Sequence, residues 1–164
     1  MKICIAIMCI CFSATGFSQT LTGKDLQLLP GNWKGSLTYI DYSSAKPYTM
    51  PVNAGITKVT QSNQFIVALT YPDEPKANGN DTFSISQNGK LFNGAKIVTL
   101  NRLKDGRIII TTAANGQDGN ENEKAVLKHI YTITRNSFSN RKEVKFTDKK
   151  KWELRNEYKF YRRY

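Results

Sequence analysis

Period-two alternation dominates the chain. Near the C-terminus, Lys151, Glu153, Arg155, Glu157 and Lys159 alternate with Trp152, Leu154, Asn156, Tyr158 and Phe160. Successive side chains of a strand point to opposite faces, so this stretch predicts a strand with one wet and one buried face. The run from about Asn32 to Tyr42 reads the same way, with Trp33, Gly35, Leu37 and Tyr39 set against Lys34, Ser36 and Thr38. Further strands are predicted near 52–60, 64–71, 81–87, 91–103, 107–114, 124–134, 137–147 and 151–162. The dipeptides Asn88-Gly89 and Asp105-Gly106 readily take the positive φ angles of tight hairpin turns. One helical signal precedes the first strand. Thr22 can cap a short turn with Asp25 three residues on, Leu26-Gln27-Leu28-Leu29 gives its apolar side, and Pro30-Gly31 stops it.

No long amphipathic helix interrupts the series, which argues against a parallel sheet with crossover helices. Eight to ten sequential antiparallel strands leave exposed edges unless the sheet closes on itself. Nearly every connection is short enough for a neighbour hairpin. The expected fold is therefore all-β: a single up-and-down antiparallel β-barrel of about 8–10 strands, with a short helical turn before strand 1. No internal repeat and no second domain is evident.

The N-terminus sets the compartment. Lys2 provides a positive start, Ile3 to Phe12 form an apolar run, and Ser13 to Ser18 are mostly small and weakly polar. That pattern predicts a signal peptide over 1–18, cleaved after Ser18 or alternatively after Gly16, and a barrel domain over 19–164. The apolar run is shorter than the ~20 residues of a spanning helix, so stable membrane insertion is not expected. The expected location is periplasmic or extracellular. Cys4, Cys9 and Cys11 all fall in the predicted signal. The exported domain then has neither a disulfide nor a thiolate nucleophile or ligand. About 145 residues remain, enough for one domain of ordinary size.

Charge changes the picture only at the edges. The formal net charge is +11, or +10 once Lys2 is removed. A basic balance is compatible with nucleic-acid or membrane surfaces, but an export signal argues against an intracellular nucleic-acid role. The unbalanced charge concentrates at Lys149-Lys150-Lys151 and Arg162-Arg163. These read first as solubilising charges, and second as a site for an anionic polymer, lipid headgroups or a protein partner.

Gly31-Asn32-Trp33 heads the first strand, after a short turn and an export signal. With the strand ladder and the arginines of the last strand, this resembles the lipocalin-like (calycin) superfamily of ligand-binding barrels. The resemblance implies that Trp33 packs across a closed barrel end and that a late arginine, Arg155 or Arg162, lies over its indole. Strict alternation puts Arg155 on the outward face. A Thr-Asp-aromatic turn late in the barrel has no counterpart in Asn115 to Glu123, and no helix follows the last strand. Arg162-Arg163-Tyr164 matches in letters the Arg-x-Tyr with which fatty-acid-binding barrels hold a carboxylate. Their two-helix lid does not fit in Ser43 to Tyr48.

A barrel of about eight strands has an interior that side chains can fill or that can hold one small ligand. The predicted interior includes Leu37, Tyr39, Phe65, Leu69, Tyr71, Phe83, Ile110, Leu127, His129, Tyr131, Val144, Tyr158 and Phe160. The expected guest is a small, mainly apolar molecule bound among Trp33, Tyr39, Leu69, Tyr71, His129, Tyr131 and Tyr158, whose polar tips suit a few hydrogen bonds. The alternative is a filled barrel that presents loops and basic tail to a partner. Chemistry is hard to place. His129 is the sole histidine, so a nitrogen and sulfur zinc site is not expected, and no nucleophile-elbow sequence supports a triad. Asp41, Asp73, Glu74 and Asp81 show no grouping suited to paired-carboxylate hydrolysis. Asn115 to Glu123 fails the EF-hand pattern and reads as a flexible loop. The expectation is a non-enzyme without cofactor or metal.

Overall fold

The computed structural model describes residues 20–162. The predicted signal peptide with its three cysteines, and Arg163-Tyr164 of the basic tail, lie outside the described residues. Ten strands follow one another: β1 (Gly31–Ile40), β2 (Pro47–Lys58), β3 (Gln64–Thr70), β4 (Gly79–Ser84), β5 (Leu91–Phe92), β6 (Ala95–Arg102), β7 (Ile108–Asp118), β8 (Glu123–Ile133), β9 (Ser137–Phe146) and β10 (Glu153–Arg162). A 3-10 turn over Pro75–Ala77 lies between β3 and β4. The sheet order is β4-β3-β2-β1-β10-β9-β8-β7-β6-β5, with antiparallel neighbours throughout. Chain neighbours are sheet neighbours except β4 and β5, which stand at the two ends of the order, and the last strand, β10, returns to pair with β1. The sheet thus curls into a nearly closed barrel, as the alternation predicts. Among the described residues no helix is long and apolar enough to cross a membrane.

The pleat decides the core. On β2, Met50, Val52, Ala54 and Ile56 are buried, and on β9 the same holds for Phe138, Val144 and Phe146. The main cluster also takes in Phe65, Phe83, Ile110, Tyr131 and Phe160, with Leu37, Tyr39, Leu69 and Tyr158 packed against it. A smaller cluster of Ala125, Val144, Phe146 and Leu127 lies nearer the other end.

Two stretches differ from the sequence reading. The strand expected over 91–103 is cut at Asn93-Gly94, where φ is 52° and 75°. Two successive positive φ angles make a primed hairpin turn, which separates β5 from β6. Asn115 to Glu123 is mostly sheet rather than loop. β7 and β8 stay paired to Asp118↔Glu123, so only 119–122 reverse the chain.

Candidate functional site

The closed end is built by the segment before β1. Its turns are tight, with amide-to-carbonyl bonds from Asp25 to Thr22 and from Leu29 to Leu26, both 3.0 Å. The Asp25 carboxylate accepts from the Thr22 amide at 2.8 Å and from its hydroxyl at 2.9 Å. It also pairs with Arg102 of β6 at 2.6 and 2.8 Å. Burial alone would raise the Asp25 pKa, but hydrogen bonds from Arg102 and Thr22 outweigh it and hold it below its ordinary value. The segment is thereby tied to β6 while Leu21, Leu26 and Leu29 are driven into the barrel. The Leu21 amide donates to the Gly89 carbonyl at 2.9 Å, which fastens the plug to the hairpin between β4 and β5.

Trp33 is the floor. Its ring is 1% exposed, and Nε1 donates to the Leu29 carbonyl at 2.8 Å. Arg162 lies 4.3 Å above the ring and donates to the carbonyls of Pro30, Arg135 and Leu28. Gly31 makes room for it. A Cβ there would stand 2.7 Å from an Arg162 guanidinium nitrogen, and φ of +128° already disfavours other residues.

The opposite end carries an ion cluster. Asp118 shares the inward parity of Ile110 and Thr112 and is 6% exposed. Lys142 Nζ reaches it at 2.5 Å, Arg155 Nε at 3.0 Å, and the Tyr42 hydroxyl donates to it as well. Arg155 therefore does not take the outward position that strict alternation assigns. The register of β10 against β9 shifts between Leu154 and Asn156, and Arg155 is the extra residue. A bulge breaks the two-residue period and redirects the side chain. The Arg155 guanidinium lies 4.0 Å from the Tyr42 ring, far in the fold from Trp33. Of the two candidate arginines, Arg162 alone meets the indole.

Between these ends the barrel has a seam. The ends of β4 and β5 share a single backbone bridge, Ile85↔Phe92, helped by the Ser84 amide on Asn93 Oδ1 and the Asn93 amide on the Ser84 carbonyl, both 2.8 Å, while the rings of Phe83 and Phe92 pack 5.6 Å apart. Beyond it the strands part, because pairing of β6 with β7 stops at Ala113 while β7 continues to Asp118. A pocket of about 450 Å³ occupies the gap, with Asp81 and Phe83 on one side, Ala95, Thr112 and Ala114 on the other, and His129, Tyr131 and Asn140 behind. A smaller cavity of about 50 Å³ lies against Leu69, Phe138, Tyr158 and Phe160. Asp81, Phe83 and Asn140 line both, so the two are neighbours.

The comparisons with known proteins bear on fold. No family model and no curated protein matches the chain. Among solved structures, the crystal structure of Rv2717c from M. tuberculosis is similar, with a TM-score of 0.51 and 9% identity over 89% of this chain and 100% of that one. The likeness is one of fold. It supports a nearly closed ten-stranded antiparallel barrel and does not by itself assign the chain to the lipocalin-like superfamily.

The residues singled out from sequence separate into groups. Leu69 and Tyr158 line the small cavity, and His129 and Tyr131 the large one. Tyr71 joins them through its hydroxyl, 3.0 Å from that of Tyr158. Tyr39 instead packs on Tyr48 with ring centroids 5.4 Å apart, and Trp33 lies at the floor. His129 Nδ1 is 3.1 Å from Asn140 Oδ1. That oxygen only accepts, so the neutral ring keeps its proton on Nδ1 and leaves Nε2 as an acceptor. Burial pushes the His129 pKa down against the Asn140 hydrogen bond, and the charge of Lys142 pushes the same way. Burial raises the Tyr131 phenol to about 12. Lys142, Asn140 and Thr112 went unremarked in the sequence, and Asp118 drew notice only within the stretch read as a flexible loop. Parity along β7 and β9 was the signal for all four, but polar residues on an inward face do not announce themselves by hydrophobicity.

Proposed function

We propose that this protein is an exported, non-catalytic barrel that captures a small, mainly apolar molecule through its seam. The observation that carries the reading is the aromatic-lined pocket between β4 and β6–β8, where among the described residues the ends of the sheet share only the backbone bridge Ile85↔Phe92. Pockets that bind small molecules are mostly apolar with a few placed polar groups. Phe83, Phe92 and Leu127 supply the first kind here, and His129, Asn140 and Tyr131 the second. Binding is burial of the guest's apolar surface, about 25 cal/mol per Å² removed from water, with the polar groups setting orientation.

A second reading has its own support. Trp152 is 38% exposed, with Lys128 Nζ 4.0 Å and Lys145 Nζ 5.5 Å from its ring. This basic, aromatic patch suits an anionic polymer or an acidic protein partner.

Native mass spectrometry of the protein isolated from its own exported fraction tests the first reading. A discrete, solvent-extractable adduct that disappears in a folded Leu69→Trp or Ala114→Trp variant supports capture. Bare protein that takes up no apolar fluorophore sinks it. Salt-sensitive retention on an anionic polymer, lost on replacing Lys128 and Lys145, would favour the second.

A further inference from the structure

The seam pocket carries a charge preference. Asp81 lines both cavities, and no lysine or arginine lines either. Its carboxylate accepts from the neighbouring Thr82 amide at 2.6 Å and forms no ion pair among the described residues. The nearby cations are committed elsewhere. Lys142 and Arg155 are held by Asp118, and Arg162 is held by three carbonyls on the floor. An anionic headgroup entering the seam would find no positive partner and would meet Asp81. The aromatic walls add to this bias, since Phe83, Phe92 and Tyr131 line the pocket and the face of an aromatic ring attracts a cation. Thr112, 1% exposed in the pocket wall, has a hydroxyl without a hydrogen-bond partner. The wall thus contains a buried hydroxyl that no described residue satisfies.

We propose that the guest is a small apolar amine, with its ammonium against Asp81 and its body among Phe83, Phe92 and Tyr131 of the seam pocket. This rests on the capture reading above and specifies its ligand class. It runs against the charge of the whole molecule. A chain of formal charge +11 repels cations at long range, so a preference for an amine must come from the site itself.

Three probes with one apolar body separate the outcomes: 2-phenylethylamine, 2-phenylethanol and 3-phenylpropanoate, titrated calorimetrically into the exported domain at low salt. The amine is expected to bind about fivefold tighter than the alcohol, as for one partly exposed ion pair. The carboxylate should be weakest. Asp81→Asn keeps the acceptor for the Thr82 amide, and should bring the amine down to the alcohol while leaving the alcohol unchanged. An alcohol that binds as well as the amine, or an amine preference that survives Asp81→Asn, overturns the ligand class. In that case loss of alcohol binding in a folded Ala114→Trp variant still upholds capture. Failure of all three probes to bind removes both readings.

Discussion

The guanidinium of Arg162 lies 4.3 Å over the indole of Trp33, joining the last strand to the first across the closed end of the barrel. The contact does two jobs. A cation over a tryptophan face is favourable by about 0.5–2 kcal/mol. The same planar fork also donates to the carbonyls of Leu28, Pro30 and Arg135, tying the segment before β1 and the β8–β9 turn to the last strand. A lysine ammonium can keep the charge but cannot span the three acceptors. Arg162→Lys is therefore expected to lower stability by about 1–2 kcal/mol, with Arg162→Ala costing more. Urea denaturation measures this, and a lysine variant as stable as the parent would refute the role of the fork.

Asp118 makes the opposite end sensitive to acid. Burial would raise its pKa, but hydrogen bonds from Lys142, Tyr42 and Arg155 bring it down to about 2, from an ordinary 3.8. The unfolded chain then takes up a proton before the folded one does. The stabilisation is complete above about pH 4 and is lost as the pH falls through 2. The expected loss is about 1–2 kcal/mol, allowing for screening at the barrel rim. Asp118→Asn should be less stable than the parent at pH 7 and should show a flatter acid limb. Parallel acid limbs for the two proteins would contradict the assignment.

The architecture was legible because nearly every strand obeys the two-residue period and several of the tight turns carry a glycine, as at Gly89 and Gly106. Trp33 and the inward faces of β3, β8 and β9 follow from alternation alone. Where the period breaks, sequence reading fails in a definite way. The bulge at Arg155 reverses the parity of the start of β10, so that Glu153 pairs with buried Val144 and Arg155 turns to the Asp118 cluster, and no local composition marks it. Asn93-Gly94 carries the same turn chemistry as Asn88-Gly89, yet it sits inside an apolar run that reads as continuous strand. The seam was not legible at all. It depends on how far β6 extends along β7, a matter of register between strands rather than of residues within one. Asp81 drew notice only as a candidate acid, and its place between two cavities follows from that register.

His129 reports on the interior by itself, being the only histidine in the chain. Burial pushes its pKa below 6.5, the Asn140 hydrogen bond opposes, and the Lys142 charge lowers it further. Protonation therefore favours the unfolded state. The contribution of this group is fully present above pH 6.5 and is lost as the pH falls through the lower, folded pKa. The imidazole resonance should titrate with a midpoint below 6.5, and unfolding free energy should slope downward between pH 7 and 5. His129→Gln should remove that slope. A midpoint at or above 6.5 would mean that the ring is in contact with water or a carboxylate.

Thr112 offers a substitution that should stabilise the empty protein. It lies on β7 opposite His129, is 1% exposed, and its hydroxyl has no hydrogen-bond partner. Removing water from a hydroxyl without replacing its hydrogen bond costs about 1–3 kcal/mol. Valine has a similar shape, a high strand preference and no polar atom to satisfy. Thr112→Val is thus expected to gain about 1 kcal/mol, raising the midpoint of thermal unfolding by a few degrees in a domain of this size. The sign is the informative part. A gain shows that the hydroxyl is unmet when the pocket is empty, which is the condition for a guest to satisfy it. A loss of more than about 1 kcal/mol would show that Thr112 already has a partner in solution.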